Sequence, residues 1–143
     1  MFGTLACVRD VPKIKGGAAL LSDGLVVIIA YAIAFGLRFA QWDSTYYQFF
    51  VGIRDGILAI VFVHLTLNLV MGIYVERLLL LNGSAILKLF FSSALSGVAL
   101  ILGEVLLGPV RAIPITVLVL GAAFACMGFT IVRYARSGKF QYQ

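Results

Sequence analysis

Four apolar runs dominate the sequence, and each is long enough to cross a lipid bilayer as an α-helix. They cover about residues 18–40, 53–74, 85–107 and 113–132. A helix needs about twenty apolar residues to cross the hydrocarbon core, where its backbone hydrogen bonds must all be satisfied internally. The runs therefore predict an all-α fold: an integral membrane bundle of four transmembrane helices that forms one domain over residues 1–143.

The composition favours a membrane protein over a soluble domain. Hydrophobic residues make up 62% of the chain and charged residues 12%, whereas about 25% of the residues of a soluble domain are charged. The formal net charge is +5, but the basic residues are spread over short connectors. This distribution indicates membrane topology and predicts no binding of nucleic acid.

The basic residues also predict an orientation. Cytoplasmic connectors of membrane proteins carry an excess of Lys and Arg. In a four-span bundle Arg38, Arg54 and Arg111 would lie on one side, and the rest would lie on the other: Arg9, Lys13, Lys15, Arg77, Lys88, Arg133, Arg136 and Lys139. Both termini are therefore predicted to lie in the cytoplasm.

The first span carries an acid near its start and a base near its end, Asp23 and Arg38. Fifteen helical residues separate their Cα atoms by about 22 Å, so the two charges cannot pair with each other. Arg38 can extend its long side chain to the headgroups, but the side chain of Asp23 is too short to leave the bilayer. Three interpretations of Asp23 stay open: a helix N-cap, a contact with another helix for which Lys88 is a candidate partner, and a substrate or proton site.

Other polar residues of the spans are candidate intramembrane contacts. His64 and Asn68 lie four residues apart and share a helix face, which favours hydrogen bonds to neighbouring helices over a ligand site. Glu104 lies near the outer end of the third span, with Arg111 or Arg38 as candidate partners. No metal-binding, phosphate-binding or cofactor-binding motif occurs in the sequence. We therefore predict no cofactor, and the sequence favours a protein that is not an enzyme.

Small residues recur at a spacing of four, which lets membrane helices approach each other closely. The candidate helix-packing residues are Gly52, Gly56, Ser92, Ser93, Ser96, Gly97, Gly121 and Ala125. They predict contact surfaces, but they do not identify the partner helices.

Four short motifs follow one another along the chain. The first span has Asp23 near its start and ends in LRF at 37–39; MGIYVER lies at 71–77, RAIP at 111–114 and IVRYAR at 131–136. This order resembles the membrane region at the start of the large polysaccharide-biosynthesis proteins, the membrane-bound nucleotide-sugar 4,6-dehydratases and epimerases. The resemblance covers about residues 18–136.

The resemblance implies a multi-pass module of a bacterial-type plasma (inner) membrane. In the family, the fourth span leads into a cytoplasmic catalytic domain, whereas this sequence ends at Gln143, so no catalytic residue is carried over. The implied function is a non-catalytic anchor or scaffold that holds sugar-nucleotide chemistry near a lipid-linked acceptor.

Two other functions stay open. The first is an accessory structural subunit of a larger membrane complex. The second is a small transporter, but four spans without an internal repeat are few for an alternating-access mechanism. The predicted partners are the lipid bilayer and either other membrane protein subunits or further copies of the chain in a homo-oligomer.

Overall fold

The structure, a computed structural model, describes residues 16–40, 46–74, 83–107 and 113–139. This part of the chain forms four helices: α1 (Gly16–Arg38), α2 (Tyr46–Val70), α3 (Gly83–Leu107) and α4 (Ile115–Lys139). Each of them is long and apolar enough to cross a membrane. The predicted all-α bundle with four candidate membrane spans is confirmed.

Local chemistry explains two of the helix ends. Gly72 has a φ of 66°, a conformation that side chains with a Cβ rarely adopt. The amide of Gly72 donates to the carbonyl of Leu69, and the amide of Ile73 donates to that of Asn68, the pair of bonds that closes many helix C-termini. α4 begins after Pro114, whose carbonyl accepts hydrogen bonds from two amides of the first turn.

Two helices are longer than the predicted spans. α2 begins at Tyr46 instead of near residue 53, and α4 continues to Lys139 instead of ending near residue 132. At α2 the aromatic and polar residues 46–50 had been assigned to the connector, whereas at α4 Arg133 had set the predicted limit. Arg is a good helix former, so its charge limits the apolar run without ending the helix.

The helices pack in a ring in chain order, in which α1 contacts α2, α2 contacts α3, α3 contacts α4 and α4 contacts α1. We call the end of the bundle where α1 begins and α4 ends the terminal end, and the opposite end the far end. α1 and α4 run antiparallel, since Asp23 contacts Arg133 near the terminal end and Tyr31 contacts Gly121 further along. The four described helices therefore place Gly16 and Lys139 at the same end of the bundle.

Glycines allow α1 and α4 to approach closely. A Cβ at Gly121 would lie 2.6 Å from the ring of Tyr31, and a Cβ at Gly128 would lie 2.5 Å from a methyl group of Val26. Both distances are too short for real Cβ contacts. Gly121 is one of the predicted packing residues, whereas Gly128, seven residues further along the same face, was not predicted.

The other predicted packing residues lie mostly inside the bundle. Gly97 packs against Ala122, and Gly56 packs against the side chain of Ile113. Gly52 is half-buried. The remaining four are buried, namely Ser92, Ser93, Ser96 and Ala125.

The outer surface of the bundle is apolar, as contact with lipid requires. Large hydrophobic side chains point outward from every helix, among them Leu25, Leu58, Leu106 and Ile131, each at least half exposed. A soluble protein rarely exposes such a continuous apolar surface. Several polar side chains of the spans, among them Asp23, His64 and Asn68, lie inside the ring.

Candidate functional site

A buried carboxylate at the terminal end joins three separate parts of the chain. Asp23 is 1% exposed, and its Oδ2 lies 3.0 Å from Nη2 of Arg133 in an ion pair. The hydroxyl of Tyr74 donates a second hydrogen bond, also of 3.0 Å, to the same oxygen. We call Asp23, Tyr74 and Arg133 the terminal polar cluster. It connects α1, the segment that follows α2, and α4.

The local sequence places each of these side chains. Asp23 lies about two helical turns inside α1, on the face that packs against α4. The turn at Gly72 ends α2 and positions Tyr74 next to α1. Arg133 lies one turn after Phe129 on α4, with its guanidinium 5.8 Å from the centre of that ring.

A second arginine extends the contact between α1 and α4. Nη2 of Arg136 donates to Oγ of Ser22 over 2.7 Å, and this hydroxyl in turn donates to the carbonyl of Ala19. α1 and α4 are therefore joined by the ion pair of Asp23 with Arg133 and by the hydrogen bond from Arg136 to the neutral hydroxyl of Ser22. Arg136 is half-buried.

Two of the predicted interpretations of Asp23 are wrong. Because α1 already begins at Gly16, Asp23 is inside the helix and does not cap it. Lys88 is exposed on α3, which lies diagonally across the ring from α1. The cationic partner of Asp23 is Arg133 on the adjacent helix α4 instead. The helix that Asp23 contacts is therefore α4, through Arg133.

A second polar layer lies deeper in the bundle. Oγ of Ser92 donates to Oδ1 of Asn68 over 2.6 Å, which connects α2 with α3. Nε2 of His64 lies 3.2 Å from the hydroxyl of Tyr31, which connects α2 with α1. His64 and Asn68 therefore each contact a neighbouring helix.

Tyr31 is a buried polar residue that the sequence interpretation missed. It is fully buried, and its hydroxyl also lies 3.5 Å from the carbonyl of Leu118 on α4. A tyrosine in the middle of an apolar run, away from the interface where tyrosines collect, was the available signal.

Some polar atoms inside the ring have no hydrogen-bond partner among the described residues. They come from all four helices: Oδ1 of Asp23, Nδ1 of His64, Nδ2 of Asn68, Oγ of Ser93 and Nε of Arg133. An unpaired buried polar group costs about 1–3 kcal/mol. The interior therefore contains hydrogen-bonding groups that the described residues leave without a partner.

The remaining candidate residues lie apart from these layers. Arg38 is exposed at the far end, with its guanidinium 5.6 Å from the centre of the ring of Phe39. Glu104 is half-buried near the end of α3. Arg111, its predicted partner, lies outside the described residues. Within the described ranges, no three His, Cys, Asp or Glu side chains come together in a way that could hold a metal ion.

Comparisons with protein-family models, with curated proteins and with solved structures find no match. What can be inferred about function therefore comes from the geometry of the buried polar residues. The terminal polar cluster fixes the positions of the helix ends at one side of the membrane, and the deeper layer fixes the register between the helices.

Proposed function

We propose that the chain is a non-catalytic membrane module, an anchor or scaffold related to the membrane region of the polysaccharide-biosynthesis proteins. One observation carries the proposal. Three residues from three different motifs of the resemblance meet in the terminal polar cluster: Asp23 of the first span, Tyr74 of MGIYVER and Arg133 of IVRYAR. Motifs far apart in the sequence thus meet in one cluster, which supports the interpretation that they are parts of a single structural pattern.

The other motif residues also have structural functions that suit a module of this kind. Gly72 of MGIYVER adopts the positive φ that ends α2. Pro114 of RAIP starts α4, and Phe39 of LRF stacks on Phe49, with ring centroids 5.5 Å apart. The motifs therefore support folding and helix placement, which is the task of an anchor.

The proposed location is a bacterial-type plasma membrane, with the terminal end at the cytoplasmic face. The basic residues of the connectors support this orientation. In that arrangement the helix ends fixed by Asp23 and Arg133 face the compartment in which nucleotide sugars are made. A catalytic partner held at that end would act beside the lipid-linked acceptor.

A domain exchange tests the proposal. The membrane region of a membrane-bound nucleotide-sugar 4,6-dehydratase is replaced with residues 1–139 of this chain, in a host whose polymer synthesis depends on that enzyme. We expect polymer synthesis to be restored. The matched control carries an unrelated four-span bundle of the same topology. Equal restoration by the unrelated bundle, or none by this chain, would contradict the proposed relationship.

A second candidate function, passage of protons through the bundle, is favoured by the unpaired polar atoms of Asp23, Asn68 and His64. Buried carboxylates and imidazoles mark proton pathways in many membrane proteins. Purified protein in liposomes with a pH-sensitive dye tests this function. A proton flux above that of empty liposomes that is abolished by His64→Phe would favour it, and the absence of such a flux would exclude it.

A further inference from the structure

The second helix differs from the others in how little of it is covered. Within its most apolar window, 11% of α2 is buried, against 33–39% for the other three helices. Its outward face carries Asp55, Ala59, Phe62, Thr66 and Leu69, all exposed. These residues follow one another at alternating steps of four and three, the repeat by which two helices pack side by side. We call them the α2 stripe.

The α2 stripe and the adjacent Arg54 carry polar groups to which lipid tails offer no hydrogen bonds. Arg54 and Asp55 form an ion pair of 2.8 Å, and their side chains are 64% and 61% exposed. The apolar span of α2 begins at Phe49, so Asp55 lies about 9 Å further along the helix. The side chain of Asp55 is too short to reach the headgroups from that depth. Thr66, deeper in the span, adds an exposed hydroxyl.

The depth of this ion pair follows from contacts between α1 and α2. Phe49 stacks on Phe39, and Phe50 contacts Phe35. Residues 49–50 therefore lie level with the end of α1, and Arg54 and Asp55 lie about one turn deeper. Charged side chains at such depth are costly when they face hydrocarbon, and they usually face protein or water.

We propose that the α2 stripe binds a second copy of this chain, as the interface of a symmetric dimer. An adjacent acid and base form a self-complementary pattern. A two-fold axis along the membrane normal brings the Asp55 side chains of the two copies close together, and the long side chain of each Arg54 pairs with the other copy's Asp55 as well as with its own. Both copies enter the membrane in the same orientation, so the two α2 helices run parallel and the two ion pairs lie at the same depth.

The remaining residues of the α2 stripe fit this arrangement. Ala59 has a small side chain that allows two helix backbones to approach, and Thr66 of each copy meets its counterpart near the axis, where the hydroxyls can bond to each other. Phe62, which is 70% exposed, packs between these positions. The inference concerns how the chain associates and stands independently of the proposed function.

Disulfide cross-linking in native membranes tests the interface. In a background with Cys7→Ala and Cys126→Ala, single cysteines replace Ala59, Phe62 or Thr66, and Leu102 and Ile131 serve as exposed control positions on α3 and α4. We expect oxidation to give a species of twice the chain mass for the α2 positions and not for the controls. Equal cross-linking at the control positions, cross-linking to a different protein, or no cross-linking at all would overturn the proposal.

Charge exchange tests the reciprocal ion pairs directly. Arg54→Asp leaves two acids on each copy and Asp55→Arg leaves two bases, so like charges meet in each homodimer. We expect either variant alone to dimerise at least about tenfold more weakly. When the two variants are expressed together with different tags, each finds the opposite charge and the dimer returns.

The two outcomes of the charge exchange are distinct. Unchanged self-association of the single variants, or no recovery in the mixture, would overturn the reciprocal pairs. Helix content by circular dichroism identifies any variant that fails to fold. Such a variant is replaced by the milder pair Arg54→Gln and Asp55→Asn, for which the same weakening is expected at smaller amplitude.

Discussion

The two ion pairs of the described chain have opposite surroundings, and this determines what each contributes. The pair of Asp23 and Arg133 is almost fully buried, with side chains 1% and 2% exposed. Removing one partner of a buried pair leaves the other as an uncompensated charge, which costs about 3–5 kcal/mol. The pair of Arg54 and Asp55 is mostly exposed and contributes far less to the stability of a single chain.

We therefore predict that Asp23→Leu lowers the free energy of unfolding by about 3–5 kcal/mol, because Arg133 loses its partner inside the bundle. The double variant Asp23→Leu with Arg133→Leu should recover part of that loss. Denaturation by SDS in mixed micelles measures both. Lys88→Leu, on an exposed residue, is the matched control, and a loss as large as that of Asp23→Leu would contradict the assignment of the partner.

Tyr74 provides a second prediction at the same scale. Tyr74→Phe removes one of two hydrogen bonds to the carboxylate while the shape is kept, and hydrogen bonds to charged groups contribute about 1.5–3 kcal/mol. We expect a loss in that range in the same assay. Tyr47→Phe, on a tyrosine that is 72% exposed, should have almost no effect. If the two changes are equal, Tyr74 does not bond to Asp23.

At the scale of elements, the contact of α1 with α4 depends on the absence of side chains at two positions. Gly121 faces the ring of Tyr31 and Gly128 faces Val26, a branched side chain that adapts poorly. The same face of α4 carries Ala125, which is fully buried. α4 therefore presents a smooth surface to α1, and the ion pair of Asp23 lies at its terminal end.

Adding one methyl group should separate these two helices. We predict that Gly121→Ala and Gly128→Ala each destabilise the bundle by about 1–3 kcal/mol, the usual cost of overpacking. Gly103→Ala is the matched control, since a Cβ at that position meets nothing within 4 Å. Thermal unfolding followed by circular dichroism compares the three, and a loss for Gly103→Ala alone would refute the packing argument.

At the scale of the whole molecule, the ring order of the four described helices places the start of α1 and the end of α4 at one end of the bundle. The excess of basic residues there predicts that this end is cytoplasmic. Tyr47 at the start of α2 lies at the opposite end and is exposed. The two positions therefore allow the orientation to be measured on the same protein.

Labelling with a membrane-impermeant maleimide measures the orientation. In a background without Cys7 and Cys126, we expect Tyr47→Cys to react in intact cells, because it faces outward. Ser137→Cys should react only after the cells are opened. The reverse pattern would invert the topology, and reaction of both positions in intact cells would refute an even number of spans.

The sequence predicted the number and nature of the helices because crossing a bilayer depends on the length of apolar runs, which is a local property. It also indicated that Asp23 needs a partner, since its charge lies inside such a run. It did not identify Arg133, because the fourth span was expected to end just before that residue and its charge was interpreted as a topology signal. Which helix lies next to α1, and in which register, depends on packing at Gly121 and Gly128, and no local pattern specifies it.

The partners of the buried ion pair are 110 residues apart in the chain, which has a consequence for how the protein is made. Ribosomes produce α1 first, so Asp23 enters the bilayer before its counter-charge has been synthesised. An unpaired acid in a membrane helix costs up to about 3 kcal/mol during insertion, and this cost persists until Arg133 on α4 is in place. A chain that stops before Arg133 keeps this acid without its cationic partner.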